Sequence, residues 1–317
     1  FFKDQNKIIM KKKIFIFAFY KFITISNKST LQRKILDLMK TNSIFGTILI
    51  ANEGINGTIS GNMENLKKLK VLILNNVSMD IRFKKYSCAN YPFIRQKVKI
   101  KNEIVKMGVN NIDVQKFTAQ FLEPKEWEKF LKKKDTVVVD TRNTYESEIG
   151  NFKNSISPNT SSFSEFPKWI EKNKKNFENK VVAMYCTGGI RCEKASSYMI
   201  EKGFKNIYQL KGGILNYLRK TEKKDSLWNG ECFVFDDRVS VNHSLKKGKF
   251  IQCFACKSAL TQEDTHSKYY KKGISCKKCF KKTTRKQKEG FRERVRQISI
   301  AKKRRISHLG KKNVNSQ

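Results

Sequence analysis

The first apolar run of the chain, IFIFAFYKFI from Ile14, has the continuous apolar character of a buried strand. A helix is expected over residues 30–40 with Ser29 or Thr30 as its N-cap, then a strand IFGTILI, a glycine-rich turn and a short strand TIS. A second helix over residues 63–74 and a strand around 79–83 complete the order βαββαβ. That order predicts a ferredoxin-like split βαβ α+β domain, a scaffold that by itself says nothing about chemistry. Between the two helices lies ANEGINGTISG, where Gly54, Gly57 and Gly61 supply positions for tight turns. A plain hairpin with Glu53 on its tip fits this spacing as well as a site in which Glu53 and Asn56 act.

From Pro124 the pattern changes. PKEWEKFLKK reads as a short helix with proline in its first turn, and TVVVD (Thr136–Asp140) as a strand. A helix around 166–171, a strand VVAMY (Val181–Tyr185), a helix over 192–202 closed by Gly203, a strand NIYQL and a helix opened by GGI follow. Continuous apolar strands alternating with helices predict a parallel α/β sheet buried on both faces, with its site at the carboxyl ends of the strands. From Ser226 the pattern breaks into short strands around two CxxC pairs. The expected organisation is therefore an N-terminal domain over 1–112, a parallel α/β domain over 113–225, a cysteine-rich module over 226–280 and a basic, partly disordered tail over 281–317.

Length and composition agree with several folding units. At about 150 residues per domain the chain holds two or three, and 39% hydrophobic residues confine disorder to segments. The charge is more ambiguous. A net +39 suits a protein that faces polyanions, yet 54 of the 67 basic residues are Lys and only 13 are Arg. With abundant Asn and Ile and 4 Pro, this is the bias that AT-rich codons write across any protein. A dedicated phosphate-binding surface is expected to use more Arg. Between Lys281 and Gln317, 14 basic residues meet 2 Glu, a local net of +12, and residues 291–300 have weak helical periodicity; a solvated extension and a nucleic-acid arm both fit. Lysines at 11–13 ahead of IFIFAFY resemble the start of a signal peptide, but Lys21 interrupts the apolar run and no small-x-small cleavage site follows. The run is read as a strand of a cytoplasmic protein with no membrane span, and Met10 as a candidate true start.

The sharpest chemical signal is Cys186-Thr187-Gly188-Gly189-Ile190-Arg191, directly after one predicted strand and directly before a helix. A thiol there sits at the mouth of a parallel sheet, beside a helix N-terminus, in a loop whose glycines let the amide N–H groups turn inward. Such a cradle favours a thiolate, with Arg191 adding to the field. Cys192 stands six residues after Cys186; it could close a disulfide onto an oxidised Cys186, or simply pack beneath the loop. A second signal is Cys253-x2-Cys256 and Cys276-x2-Cys279, nineteen residues apart, the spacing of a four-thiolate zinc ribbon. Four thiolates close the shell of a zinc ion, so such a metal would be structural. Cys88 and Cys232 lack partner spacing and read as buried small hydrophobes, and His243, His266 and His308 have no ligand spacing to one another.

The Cys186 loop resembles the active-site loop of the rhodanese superfamily, and so do its flanks. Asp140-Thr141-Arg142 with Glu146 looks like the first rhodanese signature and GFKNIYQLKGGILNY like the second, with Tyr217 where Trp is usual. The loop is the short form that suits a compact sulfur or oxygen atom; phosphatase relatives use one residue more. Three ordered motifs, ANEGINGTISG, CTGGIRCEKAS and WNGECFVFDDRV ahead of the paired CxxC, together resemble the rhodanese-domain tRNA uridine-34 hydroxylases, the TrhO family. The resemblance runs from about Phe19 to Phe280 and implies oxygen-dependent conversion of the tRNA wobble uridine to 5-hydroxyuridine, with Cys186 as the catalytic thiol. O2 would be the co-substrate, with an electron donor that no flavin, haem or non-haem-iron motif identifies. A persulfide sulfurtransferase fits the loop equally well, and a non-catalytic RNA-binding protein fits the charge. The oligomeric state is left open.

Overall fold

The structure, a computed structural model, describes residues 13–109 and 112–304. The chain divides into two compact units, the first ending at Ile104 and the second opening at Val105. The break therefore falls eight residues before the expected position 112, because Met107 packs into the core of the second unit.

In the first unit the elements are β1 (Ile14–Phe22), α1 (Lys28–Thr41), β2 (Phe45–Ala51), β3 (Gly54–Gly61), α2 (Met63–Asn76), β4 (Lys84–Cys88) and β5 (Gln96–Ile100). The sheet order is β4-β1-β3-β2-β5, with β3 antiparallel to both β1 and β2. Its first four strands are the ferredoxin-like arrangement that the pattern predicts. Ile35 and Met39 from α1 and Leu66, Leu69 and Ile73 from α2 bury fully against Ile48, Ile50, Ile55 and Ile59 of the sheet. The apolar N-terminal run is thus an inner strand, flanked by β3 and β4.

Two strands differ from the expectation. The strand placed around 79–83 begins only at Lys84, because Asp80 shapes a turn: it accepts hydrogen bonds from Ser78 Oγ and, at 2.6 Å, from Lys21 Nζ. Met79 is left 74% exposed, so its apolar side chain gave a false strand signal. The fifth strand, QKVKI, buries Val98 alone and lies parallel to β2 at the sheet edge, a position that tolerates the lysines which hid it. Glu53 and Asn56 both bind the chain at Ile104. Glu53 Oε1 accepts from Ile104 N–H at 2.7 Å and Asn56 Nδ2 donates to Ile104 O at 3.0 Å.

The second unit runs β6 (Gln120–Leu122), α3 (Pro124–Lys132), β7 (Thr136–Asp140), α4 (Thr144–Ser147), β8 (Gly150–Phe152), α5 (Phe166–Lys172), α6 (Lys174–Phe177), β9 (Val181–Tyr185), α7 (Ile190–Glu201), β10 (Ile207–Leu210) and α8 (Gly213–Lys220). Its sheet is β6-β10-β9-β7, parallel throughout. Alternation along β9 sends Val182 and Met184 to the α5 and α7 side, and Ala183 and Tyr185 to the α3 and α8 side. Both faces are covered, which is why the strand reads as one apolar run. On the second side the ring of Phe152 meets Tyr185 and Tyr217 at 4.9 Å, Trp228 at 5.1 Å and Trp127 at 5.6 Å. Tyr217, the departure from Trp, packs there and uses its hydroxyl twice, donating to Glu128 and accepting from Leu227 N–H, both at 2.9 Å.

Short two-stranded pairings follow: β11 (Trp228–Gly230) pairs with β8, β12 (Cys232–Phe233) with β13 (Ser240–Val241), and β14 (Ile251–Gln252) with β15 (Ala259–Leu260). Within the basic segment residues 285–303 form a 19-residue helix, α9 (Arg285–Lys303). A capping box starts it, Thr284 Oγ1 accepting from Gln287 N–H and Gln287 Oε1 from Thr284 N–H. Arg294 then ties it down by donating to the carbonyls of Phe254 at 3.0 Å and Gly273 at 2.9 Å. Met10, His308 and residues 305–317 lie outside the described residues. Among the described residues no helix is long and apolar enough to cross a membrane.

The aromatic cluster makes Phe152 a keystone of the second unit. Phe152→Ala should lower that unit's stability by about 3–5 kcal/mol. Tryptophan fluorescence during urea unfolding reads it selectively, because Trp127, Trp169 and Trp228 all belong to this unit. A loss below about 1 kcal/mol would show that the rings do not pack as one cluster.

Candidate active site at the Cys186 loop

β9 ends at Tyr185 and α7 begins at Ile190, so residues 186–189 must turn the chain from strand to helix. Gly189 does this as the helix N-cap at φ +105°, in the left-handed region where a side chain is strained. Its N–H donates to Cys186 Sγ at 3.0 Å. The carbonyls of the loop point the other way. Ile214 N–H donates to Cys186 O at 2.9 Å and Leu215 N–H to Thr187 O at 3.2 Å. These donors belong to the first turn of α8, whose N–H groups have no partner inside their own helix. Gly213 permits the approach: it sits at φ +69°, and a Cβ there would lie 2.4 Å from Cys186 O. The GGI segment that reads as a helix start in the sequence is therefore the clamp that keeps the loop's carbonyls away from the sulfur.

Charge is arranged just as tightly. Arg191 grips Glu146 with both terminal nitrogens, each at 2.7 Å, and both side chains are buried. Glu146 also accepts from Asn143 N–H at 3.2 Å and Thr187 Oγ1 at 3.4 Å. Arg142, fully buried, binds Asp140 through Nε at 2.9 Å and Nη2 at 2.6 Å, and donates to the carbonyls of Glu146 and Gly150. Asp140, Arg142, Glu146 and Arg191 thus make two adjoining ion pairs beneath the loop, with no net charge. Desolvation pushes the Glu146 carboxyl up, but the Arg191 guanidinium and its hydrogen bonds outweigh that and hold it below the usual carboxylate range.

Cys186 itself is 1% exposed. Burial alone would push its thiol up, yet the Cys192 thiol as hydrogen-bond donor, the Arg191 charge, and the N–H groups of Cys192 and Gly189 hold it well below the ordinary range. Arg191 acts through its field, since its hydrogen bonds go to Glu146. Cys192 shifts the opposite way, raised well above a normal thiol by burial and by donating to Cys186. Its sulfur lies 3.4 Å from Thr141 Oγ1, which donates in turn to Tyr185 O at 3.1 Å. The structure therefore joins a thiol held low to one pushed high, and it places Thr187, Gly188, Gly189, Ile190 and Arg191 around them. A Cβ at Gly188 would meet nothing within 4 Å, so this glycine leaves the space before the loop open. Cys232 is a buried thiol pushed up to about 12 by desolvation, and Cys88 is half-buried with its sulfur 3.8 Å from Ile14 O.

A second cluster lies away from this loop. The sulfurs of Cys253, Cys256, Cys276 and Cys279 all fall within 4.8 Å of one another. Cys253 and Cys279 are 3.9 Å apart, Cys256 and Cys276 3.7 Å, and Cys276 and Cys279 3.8 Å. A tetrahedron with metal–sulfur bonds of about 2.3 Å has edges of about 3.8 Å. The donor set fits a metal such as zinc.

Comparison with known proteins follows these two regions. The UPF0176 acylphosphatase-like domain family matches residues 14–104 and the rhodanese-like domain family residues 123–220. Residues 123–220 thus match a rhodanese-like domain, and they include the Cys186 loop and both of its flanking signatures. Among solved structures, a Rhodopseudomonas palustris protein of unknown function, described as a possible tyrosine phosphatase, is 24% identical over 31% of this chain and 79% of its own, with a TM-score of 0.28. The rhodanese-like domain of an Anabaena protein is 12% identical over 34% of this chain and 77% of its own, with a TM-score of 0.29. A rhodanese-related protein of Thermoplasma volcanium is 24% identical over 32% of this chain and 92% of its own, with a TM-score of 0.26.

The thiol pair generates a direct test. Removing the Cys192 donor with Cys192→Ala should shift the pH midpoint of Cys186 alkylation by iodoacetamide to higher pH. Cys192→Ser keeps a donor and should shift it less. Coincident profiles for all three proteins would show that Cys192 only fills space.

Proposed function

A UPF0176 acylphosphatase-like domain followed by a rhodanese domain is the domain architecture of the TrhO family, and on that premise we propose that the protein hydroxylates the wobble uridine of tRNA to 5-hydroxyuridine with Cys186 as its nucleophile. The observation that carries the reading is the Cys186 cradle, a buried sulfur that accepts from Gly189 N–H at 3.0 Å, with its thiol held low by the Cys192 thiol and the Arg191 charge.

Uracil C5 is not acidic, so it must be activated. A thiolate that adds to C6 turns C5 into an enolate-like carbon, which can take an oxygen atom from an O2-derived electrophile. Loss of the C5 proton and cleavage of the C6–S bond then return the thiolate. The second oxygen atom leaves as water, which requires two electrons and two protons from a donor outside the chain. Cys186 Sγ lies at the floor of its loop, so the base has to come to it. An anticodon base splayed out of its stack can do so where a stacked base cannot. The donors around Cys186 stabilise the anion before addition and again when it leaves.

The four clustered cysteines would hold a structural zinc ion in this reading. The shell is closed by protein sulfur and offers no position for water, so the ion would stabilise a module whose own core is small.

Two measurements follow. In cells lacking the native enzyme, nucleoside mass spectrometry of tRNA should find 5-hydroxyuridine restored by the parent protein and by Cys88→Ser, and absent with Cys186→Ser. Restoration by Cys186→Ser sinks the hydroxylase reading, whereas thiosulfate-to-cyanide transfer without 5-hydroxyuridine would favour persulfide chemistry at the same loop. Metal analysis should find about one zinc per chain, and its chelation should unfold residues 253–280 while leaving Cys186 alkylation unchanged. A metal-free protein with this region folded would end the zinc proposal.

A further inference from the structure

Lysine is spread over the whole chain, but arginine is not: six of the 13 Arg fall within the 21 residues 285–305. Four of them lie on α9, where the structure gives them distinct jobs. Arg294 points to the cysteine-rich module and is held by the carbonyls of Phe254 and Gly273. At about 100° per residue, Arg285, Arg292, Arg296 and Lys303 all fall on the side of the helix opposite Arg294. All four are exposed. They form a basic stripe about 27 Å long on a helix rising about 1.5 Å per residue.

This stripe works against its own helix. Arg292 and Arg296 are like charges one turn apart, which destabilises a helix. Arg285 sits in the first turn with no acidic residue there, against the helix dipole. The acidic neighbours offer little relief. Arg285 reaches Glu289 at 3.0 Å and Arg296 reaches Glu293 at 2.9 Å, both exposed pairs of small worth. An array of anions lying along the outer face would relieve each of these costs. Guanidinium forks match phosphate geometry, which an ammonium does not.

We propose that the outward stripe of α9, Arg285, Arg292, Arg296 and Lys303, docks the phosphate backbone of an RNA. The choice of tRNA as that RNA rests on the function proposed above. A membrane is the weaker fit, because interfacial helices need a free apolar face. Here Ala301 is buried, Phe291 and Val295 are half-buried with Val295 packed against Gly273, and Ile298 is a single exposed large apolar side chain rather than a face.

The test compares the full-length protein with a four-site variant, Arg285→Gln, Arg292→Gln, Arg296→Gln and Lys303→Gln. Glutamine keeps helix propensity, and circular dichroism confirms that α9 persists. Binding of a transcribed tRNA, measured by fluorescence anisotropy over a salt series, should weaken roughly tenfold or more at low salt, with the log–log salt slope reduced by about 3. A variant with Lys at positions 285, 292 and 296 should keep the slope. Unchanged affinity and slope in the glutamine variant overturn the docking face, and so does a parent protein that binds phosphatidylserine vesicles but not tRNA. Its failure is separable from that of the hydroxylase. Stripe-dependent tRNA binding without 5-hydroxyuridine leaves the docking face standing alone, while full hydroxylation by a variant with unchanged salt slope removes the docking face alone.

Discussion

A negative sulfur inside a protein has to be surrounded by donors, because an unpaired charge taken out of water costs several kcal/mol. Cys186 meets that requirement within one turn of chain: Gly189 N–H is 3.0 Å from its sulfur, and the Cys192 thiol and N–H complete the set. Carbonyl oxygens are the groups that must be kept away, and a tight loop has as many carbonyls as amides. The first turn of α8 solves this by accepting the loop's carbonyls as partners for its own orphan N–H groups. One contact thus satisfies two elements, and Gly213 makes it sterically permissible.

The ion pairs below the loop follow from the same constraint. An arginine in direct contact with the thiolate would hold the charge, but it would also block the face at which the sulfur reacts. Glu146 takes both terminal nitrogens of Arg191. The guanidinium is fixed by Glu146 and acts on the sulfur through its field. Arg142 and Asp140 form the adjoining pair, and Arg142 reaches the Glu146 carbonyl at 3.3 Å, so the second pair braces the backbone that carries the first. Breaking either pair would leave a buried charge without its partner, which is far costlier than the pair itself is stabilising.

Features set by a few consecutive residues were legible in the sequence, and those set by contacts between distant residues were not. The Cys186 loop, the buried strands, the four-cysteine cluster and the ferredoxin-like order of β1 to β4 all follow from local spacing and hydrophobic pattern. The α8 clamp joins residues 186 and 214, and no local rule connects them. Glu53 and Asn56 had the look of a polar tip, but Ile104, about fifty residues on, claims both side chains. β5 is hidden because an edge strand need bury only Val98. The basic segment after Phe280 shows only weak helical periodicity in the sequence because its apolar stripe is thin; the capping box at Thr284 and the Arg294 tether decide in favour of helix.

Charge shows the same division between local and dispersed information. A net +39 composed mostly of lysine carries little about recognition, because a mutational bias writes lysine wherever a surface tolerates it. Arginine runs against that bias, so its position carries more weight than its number. Buried arginines in this protein each have an assigned partner: Arg142 has Asp140 and Arg191 has Glu146. On α9 the internal demand is met by Arg294, and three further arginines remain on the outer face, two of them in exposed ion pairs that stabilise little. The fold accounts for one arginine in four on that helix. The remaining three line up at helical spacing, which is what recognition of a repeating anion requires and what drift has no reason to produce.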